Sequence, residues 1–232
     1  MCKSRTFFGS ALALACMPAF ATLAAAQQPT AQGSPKAPEG WVMVGEDVLV
    51  VFADEPEHYM KAAHKSFLKK DVKATAAELR KAAAFVKLEA ARAADDSKTD
   101  LVASATELDK LADDVEKGAV TSVEKLDSTF ARAAHALANH HHKKAEESWA
   151  KKQVKPTGHS LRAAAEYVEH GSKWTGKEVE AGSAEVLKGV REVSSKLIAG
   201  SGWVGEEVGK AIKKCGDETE KLGKWIEPAK KP

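Results

Sequence analysis

The chain of 232 residues carries 35 basic and 33 acidic side chains and only 6% aromatic residues. So even a mixture of charge excludes the basic face that nucleic acid would require. An apolar fraction that leans on alanine favours helix while burying little area per residue, so closely spaced helices with a thin core are expected.

The first 26 residues read as a processing segment. Lys3 and Arg5 form a positive start, Phe7–Ala15 a short apolar stretch, and small residues follow. Two peptidase sites fit, Ala19–Ala21 and Ala24–Ala26; the second gives a mature start at Gln27, and either removes two of the three cysteines. The expected location is the periplasm or another exported compartment. Lipidation at Cys16 is the weaker alternative, because Ala13 stands where a branched apolar residue is usual. No later run reaches the roughly 18 apolar residues needed to cross a bilayer, so no transmembrane span is expected in the mature chain. Residues 27–40 read as a disordered polar linker and 41–53 as a short extended lead-in rich in valine.

The helical part begins at Asp54, where Asp54 and Glu57 resemble a capping box and Pro56 falls in the first turn. This helix ends near Lys69 and Lys70. Asp71 then caps a second helix with a heptad seam of Val72, Ala76, Leu79, Ala83, Val86, Ala90 and Ala93. After a polar break at Asp95–Ser97, another seam runs from Leu101 to Leu137 with no proline, which predicts one helix over about 98–150, with Gly118 its weakest point. A turn at Gln153 leads to a helix opened by Pro156. Residues 176–227 differ in texture: two amphipathic helices, about 177–199 and 203–226, are separated at Gly200–Gly202, and 228–232 form a tail.

Residues 58–86 return 82 positions later as residues 140–168, with 14 of 29 aligned pairs identical. Phe67 meets Trp149 and Phe85 meets Tyr167, so large apolar positions are kept as well. The fold class expected is all-α: an elongated antiparallel helical bundle in which a helical hairpin is duplicated within 54–175, followed by two glycine-rich amphipathic helices.

Gly202, Gly209, Gly216 and Gly223 are spaced by seven. They would present a smooth strip on which a small-residue helix could pack, and 202–226 is therefore the segment expected to make the most specific contact, either within the fold or with another copy. Peripheral membrane contact is a further option for so amphipathic a segment. Cys215 lies on the apolar line of its helix and is expected to be buried.

Chemistry has fewer anchors. A hairpin turning near 152–153 brings His135 level with His170, and two imidazoles on adjacent helices could bind a transition metal, with Glu166 or Glu169 as oxygen ligands. The run His140–His142 spreads about 100° per residue and cannot face one ion, so it reads as solvated or pH-responsive histidine. Lys69, Lys70, Lys151 and Lys152 sit at two hairpin tips and could hold an anion with Lys73, Lys155, Arg80 and Arg162, although they also suit helix C-termini. No motif for a metalloprotease, a phosphate loop or a nucleophile elbow occurs, and no cofactor is implied. The sequence therefore points away from an enzyme, toward a structural or protein-interaction protein that binds a partner protein or its own copies. A metal- or small-ligand-binding module on the second hairpin is the alternative.

Overall fold

The computed structural model describes residues 55–177 and 180–226. The processing segment, the linker, the lead-in, Asp54 and the tail lie outside the described residues. Within them the chain forms seven α-helices and no strand: α1 (Glu55–Leu68), α2 (Val72–Arg92), α3 (Asp95–Glu116), α4 (Val123–Ala150), α5 (Val154–Trp174), α6 (Ala181–Ala199) and α7 (Gly205–Ile226). Short connections make sequential helices antiparallel neighbours. Helices α1 to α4 close one four-helix ring of contacts, and α4 to α7 close a second, so α4 belongs to both.

Two expectations about boundaries are corrected. The predicted single helix over 98–150 is broken into α3 and α4. Gly118 adopts φ 66°, its N–H bonds to the Val115 carbonyl at 3.0 Å, and the Ala119 N–H reaches the Asp114 carbonyl at 2.9 Å, a left-handed helix end. Folding back buries Leu101, Leu108 and Val115 against Leu126, Phe130 and Leu137, which a straight rod would leave in water. Likewise, Asp95–Ser97 opens α3 instead of interrupting a helix: the N–H groups of Ser97 and Lys98 bond to the Ala94 carbonyl at 3.0 and 2.9 Å.

The duplicated hairpins share the left-handed residue and the main bonds of their turn. Lys70 and Lys152, 82 apart, both adopt the left-handed region at φ 61° and 58°. Asp71 N–H bonds to the Ser66 carbonyl at 3.0 Å, and Gln153 N–H to the Ser148 carbonyl at 2.9 Å. Thr75 and Thr157 each donate their hydroxyl at 2.7 Å to the carbonyl four residues back, at Asp71 and Gln153. Asp71 caps α2 as expected, accepting from the Ala74 N–H at 3.0 Å. Tyr59 stacks on Phe85 with ring centroids 5.5 Å apart, and at the same offset His141 stacks on Tyr167 at 5.7 Å.

The offset of 82 continues where sequence identity stops. Gly200 repeats the left-handed end at Gly118, with its N–H on Leu197 where Gly118 uses Val115. Helix starts at Val123 and Gly205 match. Arg80 bonds Asp113 at 2.8 Å, and its counterpart Arg162 bonds Ser195, the counterpart of Asp113, at 3.0 Å. Lys87 pairs with Asp109 at 2.6 Å, whereas Glu169 pairs with Arg191 at 2.9 Å: the same contact with its charges exchanged. The unit repeated is thus a four-helix bundle, and the boundary read at 175/176 falls inside the second one, between α5 and α6.

Seam residues Ala76, Leu79, Ala83, Val86 and Ala90 are buried, but Val72 is 43% exposed. It opens α2 beside the tip, one turn before the helix meets its neighbours.

Candidate functional site

The glycine strip has a packing role at two of its four members, and the partner is not the small-residue surface expected. Helix α4 lays His142 and His135, seven residues apart, over Gly216 and Gly223 of the antiparallel α7. A Cβ on Gly216 would stand 2.7 Å from His142 Nε2, and one on Gly223 would stand 2.8 Å from His135 Nε2. The missing side chains let His142 Nε2 reach the Ile212 carbonyl at 3.1 Å, where the imidazole N–H donates to the helix backbone. Gly209 and Gly202 face open space, and Gly202 serves the turn at φ 77°. The closest approach lies elsewhere, at Gly171, where a Cβ would meet a Leu222 methyl at 2.5 Å; one on Gly158 would meet Leu197 Cβ and the Ser194 carbonyl at 2.8 Å.

His135 and His170, the proposed metal pair, have their described contacts on different helices. His135 rests on α7, whereas His170 Nδ1 lies 3.9 Å from Glu57 Oε2 of α1 and its ring stands perpendicular to Tyr167. Glu169, one of the two oxygen ligands suggested beside them, is engaged by Lys173 and Arg191. Among the described residues no three ligating side chains converge on an ion-sized space.

What the helices bring together instead is a buried polar array. His140 and His141 are 3% and 6% exposed, so the reading of this run as solvated is corrected. They lie on the face of α4 that α2 and α5 cover. His140 Nε2 stands 3.4 Å from Glu89 Oε2 of α2, and Arg92 stands 3.6 Å from the other carboxylate oxygen. Burial works to raise the Glu89 carboxyl, but His140, His141 and Arg92 outweigh it and hold the group down at about 2. Burial pushes His141 down to about 3, only partly offset by Glu89, so at neutral pH a carboxylate sits beside a neutral imidazole.

A second array joins the two bundles. Glu57, 2% exposed, accepts a hydrogen bond from Trp174 Nε1 at 3.0 Å and pairs with Lys61 at 3.2 Å. Trp174 packs edge-on against Phe130, with centroids 5.0 Å apart. Glu57 was expected to act with Asp54 at a cap, and its carboxylate turns to α5 instead. Sequence reasoning nominated neither Glu89 nor Trp174 for a site. Glu89 did leave a signal, standing three residues from Val86 on the seam edge. Trp174 left none, since its role depends on how α5 meets α1.

The remaining candidates are occupied. Cys215 is fully buried, and burial, reinforced by Glu218, pushes its thiol up to about 12. Both lysine tips are exposed, but Arg80 is two turns away and bound by Asp113 and Glu116, so it does not assemble with the tip as an anion site.

Two clefts occupy repeat-equivalent places. Between α3 and α4, a cleft of about 170 Å³ is crossed by Arg132, whose Nε bonds Glu107 at 2.7 Å. Between α6 and α7 the counterparts are Lys214 and Gly189, and the cleft there measures about 450 Å³. No known protein family, curated protein or solved structure matches this chain. The described residues form an all-α, multi-helix bundle, an architecture consistent with a structural or protein-interaction module, and no helix among them is long and apolar enough to cross a membrane.

Proposed function

We propose that this is a non-enzymatic protein of the periplasm or another exported compartment that binds a partner protein or its own copies, as a scaffold, chaperone or stress-related factor. The observation that carries the reading is how reactive and apolar groups are distributed. Cys215, Glu89, His140, His141 and Glu57 are buried in contacts between helices, where a substrate would have no access. Large apolar side chains meanwhile stand in solvent, with Leu68 62% and Val72 43% exposed about the first tip and Val204 64% exposed before α7. Such residues are poor neighbours for water and good anchors for another surface.

The C-terminal segment 202–226 enters this reading differently from the sequence expectation. Its strip at Gly216 and Gly223 is covered by α4, so a partner would meet its other face.

Photo-crosslinking from position 68, in cells that make the full chain, tests the proposal. Discrete adducts heavier than the chain, recovered from the exported fraction, are expected. A chain that forms none and sediments as a monomer would overturn it.

A further inference from the structure

We propose that the cavity between the start of α4 and the ends of α5 and α7 binds a quaternary ammonium group, the cationic head of choline and of choline lipids. The proposal goes beyond the interaction reading and stands apart from it.

Three helix ends supply the walls of a cavity of about 350 Å³. On α4, Glu124, Asp127 and Ser128 fall at the spacing that aligns side chains on one helix face, and that face lines the cavity. The aromatic walls are Trp174, the last residue of α5, and Trp225, the last but one of α7, both half-buried. Each of those helix C-termini adds partial negative charge. At the positions 82 earlier the two tryptophans are Arg92 and Lys143, so the first bundle has cations where the second has indoles. The site belongs to one copy only.

Charge and aromaticity agree on the ligand. Neither carboxylate has a lysine or arginine partner among the described residues. Asp127 Oδ1 is buried and accepts no hydrogen bond, with His64 Nε2 3.3 Å away, yet the side chain stays 28% exposed and open to a ligand. Burial, opposed by His64 and aided by Glu124, holds this carboxyl above its ordinary value, as expected of an acid short of a counter-cation. Arg132, the cation among the lining residues, is held by Glu107 at 2.7 Å.

Indole is the side chain whose face attracts a cation most strongly. Trp225 already draws one, since Lys177, which lines the neighbouring cavity, places Nζ 5.4 Å from the centre of its ring. Trp174 is fixed by its bond to Glu57 and its packing on Phe130, so it offers a rigid wall. A primary ammonium carries three donors that need acceptors around it, whereas here the carboxylates come from α4 alone and the other walls are indole. A quaternary ammonium has no N–H to satisfy and is held by rings and charge.

The test is a choline titration of the full mature chain, followed through its indole N–H resonances. Saturable shifts at Trp174 and Trp225, with Trp149 and Trp203 unmoved, are expected. Ethanolamine and the uncharged tert-butyl analogue of choline should bind about tenfold more weakly or worse. Trp225→Leu should weaken choline binding by about tenfold, whereas Trp225→Phe, which keeps an aromatic face, should stay within severalfold of the wild type. Asp127→Asn should weaken it severalfold with the melting temperature unchanged. Co-sedimentation with phosphatidylcholine but not phosphatidylglycerol vesicles would place the bound group on a lipid; choline binding without co-sedimentation would make it a free solute, and either result upholds the site. Equal binding of ethanolamine or the uncharged analogue, shifts at other indoles instead, full binding by both Trp225→Leu and Asp127→Asn, or no saturable binding overturns the proposal.

Discussion

The two bundles fill one interior site in opposite ways. In the first, α2 and α4 meet through Glu89 and His140; at the same positions in the second, α5 and α7 meet through Gly171 and Leu222. The leucine methyl enters the space left by the glycine, while the glutamate and the imidazole fill theirs with a charge and a polar ring. Shape alone holds the second contact, whereas the first also depends on protonation and on each partner being present. A duplicated backbone thus fixes where helices touch without fixing the chemistry of the touch.

The largest expected effect comes from breaking the polar version halfway. His140→Leu takes the imidazole from a buried, ionised Glu89 and leaves Arg92 as its ion-pair partner, and should cost up to about 3–5 kcal/mol in urea unfolding. The double change Glu89→Gly/His140→Leu, which copies the second bundle, should recover most of that loss. If it is no more stable than His140→Leu alone, the two sites are not equivalent.

Acid should separate the bundles next. Unfolded His141 takes a proton near 6.5 but in the fold only at about 3, so between those values the unfolded chain binds more protons and acid favours unfolding. Glu89 adds to this below its unfolded value of 4.5, down to about 2, because only the folded group stays ionised there. Between pH 6.5 and 4.5 stability should therefore fall steadily as the pH falls. In His141→Phe, which keeps a ring to stack on Tyr167, urea midpoints at pH 7 and pH 5 should lie closer together than in the wild type. An unchanged gap would show that this imidazole is not the group responsible.

A smaller contrast tests close approach. Gly158→Ala should destabilise by about 1–3 kcal/mol, because its methyl meets the Ser194 carbonyl and Leu197, although the counterpart residue in the first bundle is already Ala76. Gly209→Ala, with space around it, should gain up to about 1 kcal/mol from helix propensity. Thermal melts of both decide it; equal effects would mean that α5 and α6 are no closer than α2 and α3.

Periodicity made the helices and the hairpin duplication legible, because seams such as Leu79–Val86 and Leu161–Val168 encode one buried face each. The wider duplication was hidden. Over residues 87–144 and their counterparts only Gly118/Gly200 and Glu124/Glu206 are identical, since contacts there are kept by exchanging partners together, as in Lys87–Asp109 and Glu169–Arg191. The break at Gly118 was visible as a weak point, but its outcome was not, because a continuous apolar line suits a rod and a folded-back pair equally. The buried array was missed for a related reason: Glu89 and His140 lie 51 positions apart in the chain, and only the packing of α2 on α4 makes them neighbours.

The exchanged ion pair bears on how such a chain avoids misfolding. Two similar bundles in one polypeptide invite the wrong halves to assemble, with α2 seeking α6 and α5 seeking α3. Those pairings would set Lys87 beside Arg191 and Glu169 beside Asp109, like charge against like, where the native pairings are attractive. Each repulsion at a half-exposed site is small, but the two act together and oppose only the incorrect partner. Reversing one pair in one copy gives each bundle an address, so that a sequence which doubled itself can still tell its first half from its second.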